Sequence, residues 1–107
     1  MYDGFWTVVF RAGNVSAGGV VALLDGKVLG GDSQYFYSGA YRKEGENFSA
    51  KLRVQAFVTG AVAVFGMPLS FFDLDVVGIL RDGEGSAVGT MAALPGVQLH
   101  MKLVKRG

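Results

Sequence analysis

From Phe48 to Val58, apolar and polar residues take turns. Phe48, Ala50, Leu52, Val54, Ala56 and Val58 share one parity, and Ser49, Lys51, Arg53 and Gln55 share the other, with Phe57 the one apolar exception. Successive side chains of a strand point to opposite faces, so this segment predicts an antiparallel strand with one buried and one wet face. Val97, Leu99, Met101 and Leu103 alternate in the same way with Gln98, His100 and Lys102, and Phe72, Leu74 and Val76 with Asp73 and Asp75. Shared parity predicts an interior that includes Trp6, Phe10, Phe48, Leu52, Val54, Leu74, Leu99 and Met101.

Turn signals divide the chain between these runs. Asp25-Gly26 separates Val20–Leu24 from Lys27–Leu29, the signature of a two-residue hairpin. Gly30-Gly31-Asp32 reads as a tight turn before the aromatic strand Tyr35–Arg42, and Gly45 as the turn after it. Asp82-Gly83-Glu84-Gly85 and Pro95-Gly96 read as the later turns, and Gly18-Gly19 as a bulge or strand entry. Short connections make sequential strands pair as a meander. The prediction is an all-β, single domain over residues 1–107: an up-and-down antiparallel barrel of about eight strands, a number that closes around side chains or one small ligand. Gly60–Ser70 breaks the alternation. A short helix around 61–68, a plug across one barrel mouth, and a long strand broken at Gly66 all fit it.

Composition narrows the chemistry. A net charge of +1 with scattered basic residues argues against direct nucleic-acid binding. The absence of cysteine excludes disulfides, thiolate metal sites and cysteine nucleophiles. No apolar run approaches the roughly 20 residues of a membrane-spanning helix, and no basic segment leads into an apolar run, so the expected location is cytoplasmic, without membrane contact. The one histidine, His100, alternates outward, and no second histidine exists to build an ordinary metal site. Asp73 and Asp75 read as solvated charges on an outward face. Gly30-Gly31 and Gly83/Gly85 lack the Gly-Lys-Ser/Thr ending of a phosphate loop. The expectation is no enzymatic activity, no metal and no cofactor.

Two features concern binding. The first two strands are apolar on both parities. With Trp6, Val8 and Phe10 inward, Phe5 and Val9 lie outside; with Val20, Ala22 and Leu24 inward, Val21 and Leu23 lie outside. Phe5, Val9, Val21 and Leu23 then form an expected homodimer surface, the alternative being a loop folded over them. Tyr35, Tyr37 and Tyr41 share a strand face, with Gly39 opening space among them. Together with Trp6, Leu52 and Met101 they are candidates to line a cavity for a small apolar ligand. The blander alternative, rings that fill a packed interior with hydroxyls bonded to backbone, is favoured because small eight-stranded barrels usually pack shut.

Asp3-Gly4-Phe5-Trp6-Thr7-Val8-Val9-Phe10, Gly18-Gly19-Val20, Gly26-Lys27-Val28-Leu29-Gly30-Gly31-Asp32 and Tyr37-Ser38-Gly39 together resemble the GrlR family, which includes negative regulators of type III secretion gene expression. The resemblance covers mainly residues 3–41. It implies a lipocalin-like (calycin-like) β-barrel that dimerises and regulates transcription by holding a helix-turn-helix activator away from its promoter. The family's unbroken four-residue acidic run is here replaced by Arg42-Lys43-Glu44-Gly45-Glu46, which weakens a surface for a basic partner. Arg42, Lys43, Glu44 and Glu46 remain the candidate partner-binding turn. The function expected from the resemblance is regulation by protein contact, with a small-ligand carrier as the alternative.

Overall fold

The computed structural model describes residues 3–107, and in them every regular element is a strand. The strands are β1 (Gly4–Ala12), β2 (Val15–Leu24), β3 (Lys27–Gly31), β4 (Tyr35–Glu44), β5 (Asn47–Ala56), β6 (Phe71–Arg81), β7 (Glu84–Met91) and β8 (Leu94–Lys105). Each pairs antiparallel with its sequence neighbours, and β8 returns to β1 to close an eight-stranded barrel. Closure leaves no unpaired sheet edge.

Turn chemistry sets the register. Asp25-Gly26 and Asp82-Gly83 both adopt positive φ at both central positions, the tight turn whose twist matches the flanking strands. Glu84 and Gly85 therefore belong to β7 rather than to the turn. The last turn lies at Ala92-Ala93, not at Pro95-Gly96. Those two residues open β8 beside a register shift at Thr90/Met91, where a missing proline N–H leaves no regular ladder incomplete.

The first hairpin corrects the parity expected for β2. A two-residue turn at Gly13-Asn14 pairs Ala12 with Val15, and counting back along the ladder sets Trp6 opposite Val21 and Gly4 opposite Leu23. Directly opposed residues share a face, so an inward Trp6 carries Val21 and Leu23 inward with it. They are 6% and 1% exposed, while Val20 and Leu24 face out. Gly18-Gly19 lie in regular pairing, with no bulge.

Inside, Phe48, Val54, Leu74 and Leu99 are buried with Trp6, as parity predicted, and Phe10, Leu52 and Met101 pack half-buried against them. Trp6, Leu23 and Leu80 are the largest fully buried side chains and close the end that carries the chain termini. The opposite end carries Ala12, Ala17, Ala61 and Ala63 together with the Phe10, Phe65 and Phe72 rings. The interior is apolar, and the outer wall is mixed: Lys51, Arg53, Asp73 and Asp75 lie there beside exposed apolar residues such as Leu29, Val77 and Ile79. Among the described residues no helix is long and apolar enough to cross a membrane.

The β5–β6 connection, residues 57–70, forms no helix. Gly60 and Gly66 take positive φ, Val62 and Val64 are β-branched, and Pro68 ends the run, a combination that disfavours helix. The segment instead folds across one barrel mouth, burying Ala61 and Ala63, so the plug arrangement is the one adopted.

Candidate ligand cavity

The barrel interior holds a cavity of about 930 Å3 that lies under the plug and extends down to Leu23 and Phe48. Its walls are mainly apolar: Phe10, Leu52, Val54, Phe72, Leu74 and Met101 contribute from four strands, and Val62–Gly66 of the plug contribute from above. Of the residues expected to line it, Tyr35, Tyr37, Leu52 and Met101 do so. Trp6 and Tyr41 do not: Trp6 is wholly buried in the floor, and the Tyr41 ring packs on Phe48 at 5.8 Å near the same closed end. The expectation of an interior packed shut by tyrosine rings is thus overturned. Gly39 contributes no open space. A Cβ there would stand 2.0 Å from the Lys51 carbonyl oxygen, so its role is to let β4 and β5 bend closely past one another.

The tyrosines are tied by their hydroxyls. Tyr35 donates to the Leu69 carbonyl at 2.7 Å, reaching the far end of the plug. Tyr37 donates to Asp32 Oδ2, and Tyr41 to Asp3 Oδ1. Asp32 Oδ1 also accepts the backbone N–H groups of Gln34 and Tyr35, each at 2.8 Å. One carboxylate thereby holds the β3–β4 turn and fixes a cavity tyrosine. Burial first, and the Asp32 hydrogen bond second, hold the Tyr37 hydroxyl protonated well above the usual phenol range. Gly19 is needed on the facing strand because a Cβ there would lie 2.7 Å from the Tyr37 hydroxyl. Desolvation, helped by the Asp3 hydrogen bond, pushes Tyr41 up to about 12.

Gln34 was not singled out by sequence, yet it fastens the plug. Its carbonyl accepts from Phe57 N–H at 3.0 Å, and its side-chain Oε1 accepts from Val62 N–H at 2.9 Å. With Tyr35 on Leu69, the β3–β4 turn grips both arms of the plug. Inside the plug, Gly66 N–H donates to Ala63 and Ala63 N–H to Met67, a compact turn over the mouth. The Phe65 ring packs edge-on against Phe72 at 5.4 Å. Asp32 acts within its own turn, whereas only the tertiary return of residues 57–70 gives Gln34 its role.

The Arg42–Glu46 turn lies at the closed end, remote from the mouth. Glu46 receives a two-pronged contact from Arg81, at 2.6 and 2.7 Å, which holds its carboxyl below the usual range. Lys43 is half-buried, while Arg42 and Glu44 are exposed. On the outer wall, Asp73 and Asp75 pair across the strands with Arg53 and Lys51 at 3.0 and 3.1 Å. His100 is exposed on the outside of β8.

The expected dimer surface is redrawn by the β2 register. Phe5 and Val9 are exposed, but Val21 and Leu23 belong to the interior, and both line the cavity. Across the outer face, Phe5 opposes Ala22, which opposes Leu29, with Val20 and Leu24 flanking Ala22 on β2. This row is an apolar strip, and Leu29 is its most exposed member at 53%. No protein-family model matches the chain, and comparison with characterised proteins finds no match.

Proposed function

We propose that the protein is a non-catalytic binder of one small apolar molecule, held inside the barrel beneath the plug. The cavity of about 930 Å3 carries this reading. Small-molecule sites fall at roughly 300–1,000 Å3 and are mostly apolar with a few oriented polar groups, which describes this interior and its Asp32–Tyr37–Gln34 rim. When it holds only water, its apolar lining stays exposed to that water, and covering such surface with an apolar molecule is favourable. An apolar occupant would displace that water. The test is native mass spectrometry of protein isolated from its own cells. A stoichiometric mass excess that is released on denaturation and extracts into organic solvent is expected. Repeated isolation at the bare chain mass, with no saturable uptake of any apolar probe, would refute the reading.

A second reading has its own observation. The apolar strip Phe5–Ala22–Leu29 on the barrel exterior supports a homodimer. Resemblance to the GrlR family would make that dimer a cytoplasmic regulator that sequesters a helix-turn-helix activator. Arg42 and Glu44 would then be the most available partner contacts, since Glu46 is engaged by Arg81. Sedimentation tests the dimer: a monomer at high protein concentration would remove it.

A further inference from the structure

The charge of the cavity wall restricts what it can hold. Among the residues that line it, one side chain is charged, Asp32, and no lysine, arginine or histidine is present. Asp32 is fixed at the mouth by its own turn, through the two backbone N–H groups and the Tyr37 hydroxyl. Ser33 and Gln34 of the same turn are neutral, and Ser16 and Gln98 reach the rim from the outer face, where Ser16 opposes Arg11. The basic residues nearest this end do not compensate. Arg11 and His100 oppose one another on β1 and β8 and are exposed on the outer face. Arg53, also outside, is paired with Asp73 and packs over the Phe71 ring at 5.0 Å.

An anionic head group entering this mouth would lose water, find no cation, and face a fixed carboxylate. Each of these disfavours binding. A neutral hydroxyl can exchange its water contacts for the rim amides and hydroxyls, and a protonated amine gains the attraction of Asp32. We infer that the cavity takes molecules with an apolar body and an uncharged or ammonium head, and rejects carboxylates and phosphates of the same body. This deepens the ligand-binding reading and rests on it.

The experiment uses the full chain at neutral pH and the neutral fluorescent probe N-phenyl-1-naphthylamine. Dodecanol below its solubility limit, and dodecylamine and dodecanoate below their micelle concentrations, compete for the probe, so that only the head group varies. The expected result is that the alcohol and the amine displace the probe at concentrations at least about tenfold lower than dodecanoate. Asp32→Asn keeps an acceptor for the turn N–H groups while removing the charge, and should narrow the gap between amine and carboxylate to about threefold or less. Ser33→Lys adds a cation at the exposed turn beside Asp32 without disturbing the core, and should improve dodecanoate binding while weakening that of the amine. It serves even if Asp32→Asn folds poorly. Dodecanoate competing as well as the alcohol and the amine in the unaltered protein would overturn the inference while leaving the cavity a binding site. Failure of the probe and all three competitors to bind would overturn the ligand-binding reading itself, and this inference with it.

Discussion

Trp6 and Leu52 face the same interior, yet their removal should differ in cost. Trp6 is wholly enclosed in the floor, so Trp6→Ala loses its transfer energy and leaves a new void, about 3–5 kcal/mol. Leu52 is half-buried and borders a space that already exists. Leu52→Ala enlarges that space and gives up fewer contacts, so it should fall at or below the low end of the usual Leu→Ala range, about 2 kcal/mol. Urea unfolding of both variants checks the order, and equal costs would mean that the cavity is filled or closed around Leu52. A second expectation concerns pH. The Tyr41 phenol is raised from 10.0 to about 12 in the folded protein. The folded state therefore keeps a proton that the unfolded chain releases, so the contribution is complete below pH 10 and is lost as pH climbs from 10 to 12. Tyr41→Phe should flatten that part of the alkaline stability curve. Asp3, lowered by the Tyr41 and Asp25 hydrogen bonds, contributes in the opposite sense: its share is present above the usual aspartate range and lost as pH falls through its lower folded value.

At the scale of elements, the plug is the least regular piece of the barrel and the one that decides access. Gln34→Ala removes one of the contacts that pin it, the bond to Val62 N–H. That variant should exchange the Val62 amide faster and admit a cavity probe faster, with only a small change in global stability, because the backbone contact from Phe57 and the Tyr35–Leu69 bond remain. Hydrogen exchange with mass detection reads the first effect and stopped-flow fluorescence the second. The strands themselves were legible because alternation reports directly on which face is wet. β5, β6 and β8 each carry polar residues on one parity, and their facing was read correctly. β2 carries none between Val20 and Leu24, so its own pattern could not choose a face. The choice came from the Gly13-Asn14 turn and the pairing it imposes on Trp6. The cavity was hidden for a related reason. Parity tells which residues point inward, but not whether their summed volume fills the barrel. Nor could it tell that Tyr41, on the same face as Tyr35 and Tyr37, packs near the floor.

For the whole molecule, interior and exterior make separable claims. The outer strip on β1–β3 is tested by Val20→Lys with Leu29→Lys, which places two charges where a mate would otherwise cover apolar surface. If the protein is a dimer through this face, the double variant should remain folded and sediment as a monomer. Val21→Lys is a different experiment, since it buries a lysine against the barrel interior and should unfold the domain. The interior claim is central, and it is most directly tested by titrating N-phenyl-1-naphthylamine into the full chain and into Met101→Trp. Met101 borders the cavity, so a larger ring there takes up the space a ligand needs. The account predicts saturable binding of the probe in the unaltered protein, and measurably weaker binding in Met101→Trp, with thermal stability kept. Saturable binding that persists undiminished in a folded Met101→Trp, or no saturable binding in either protein, would contradict it.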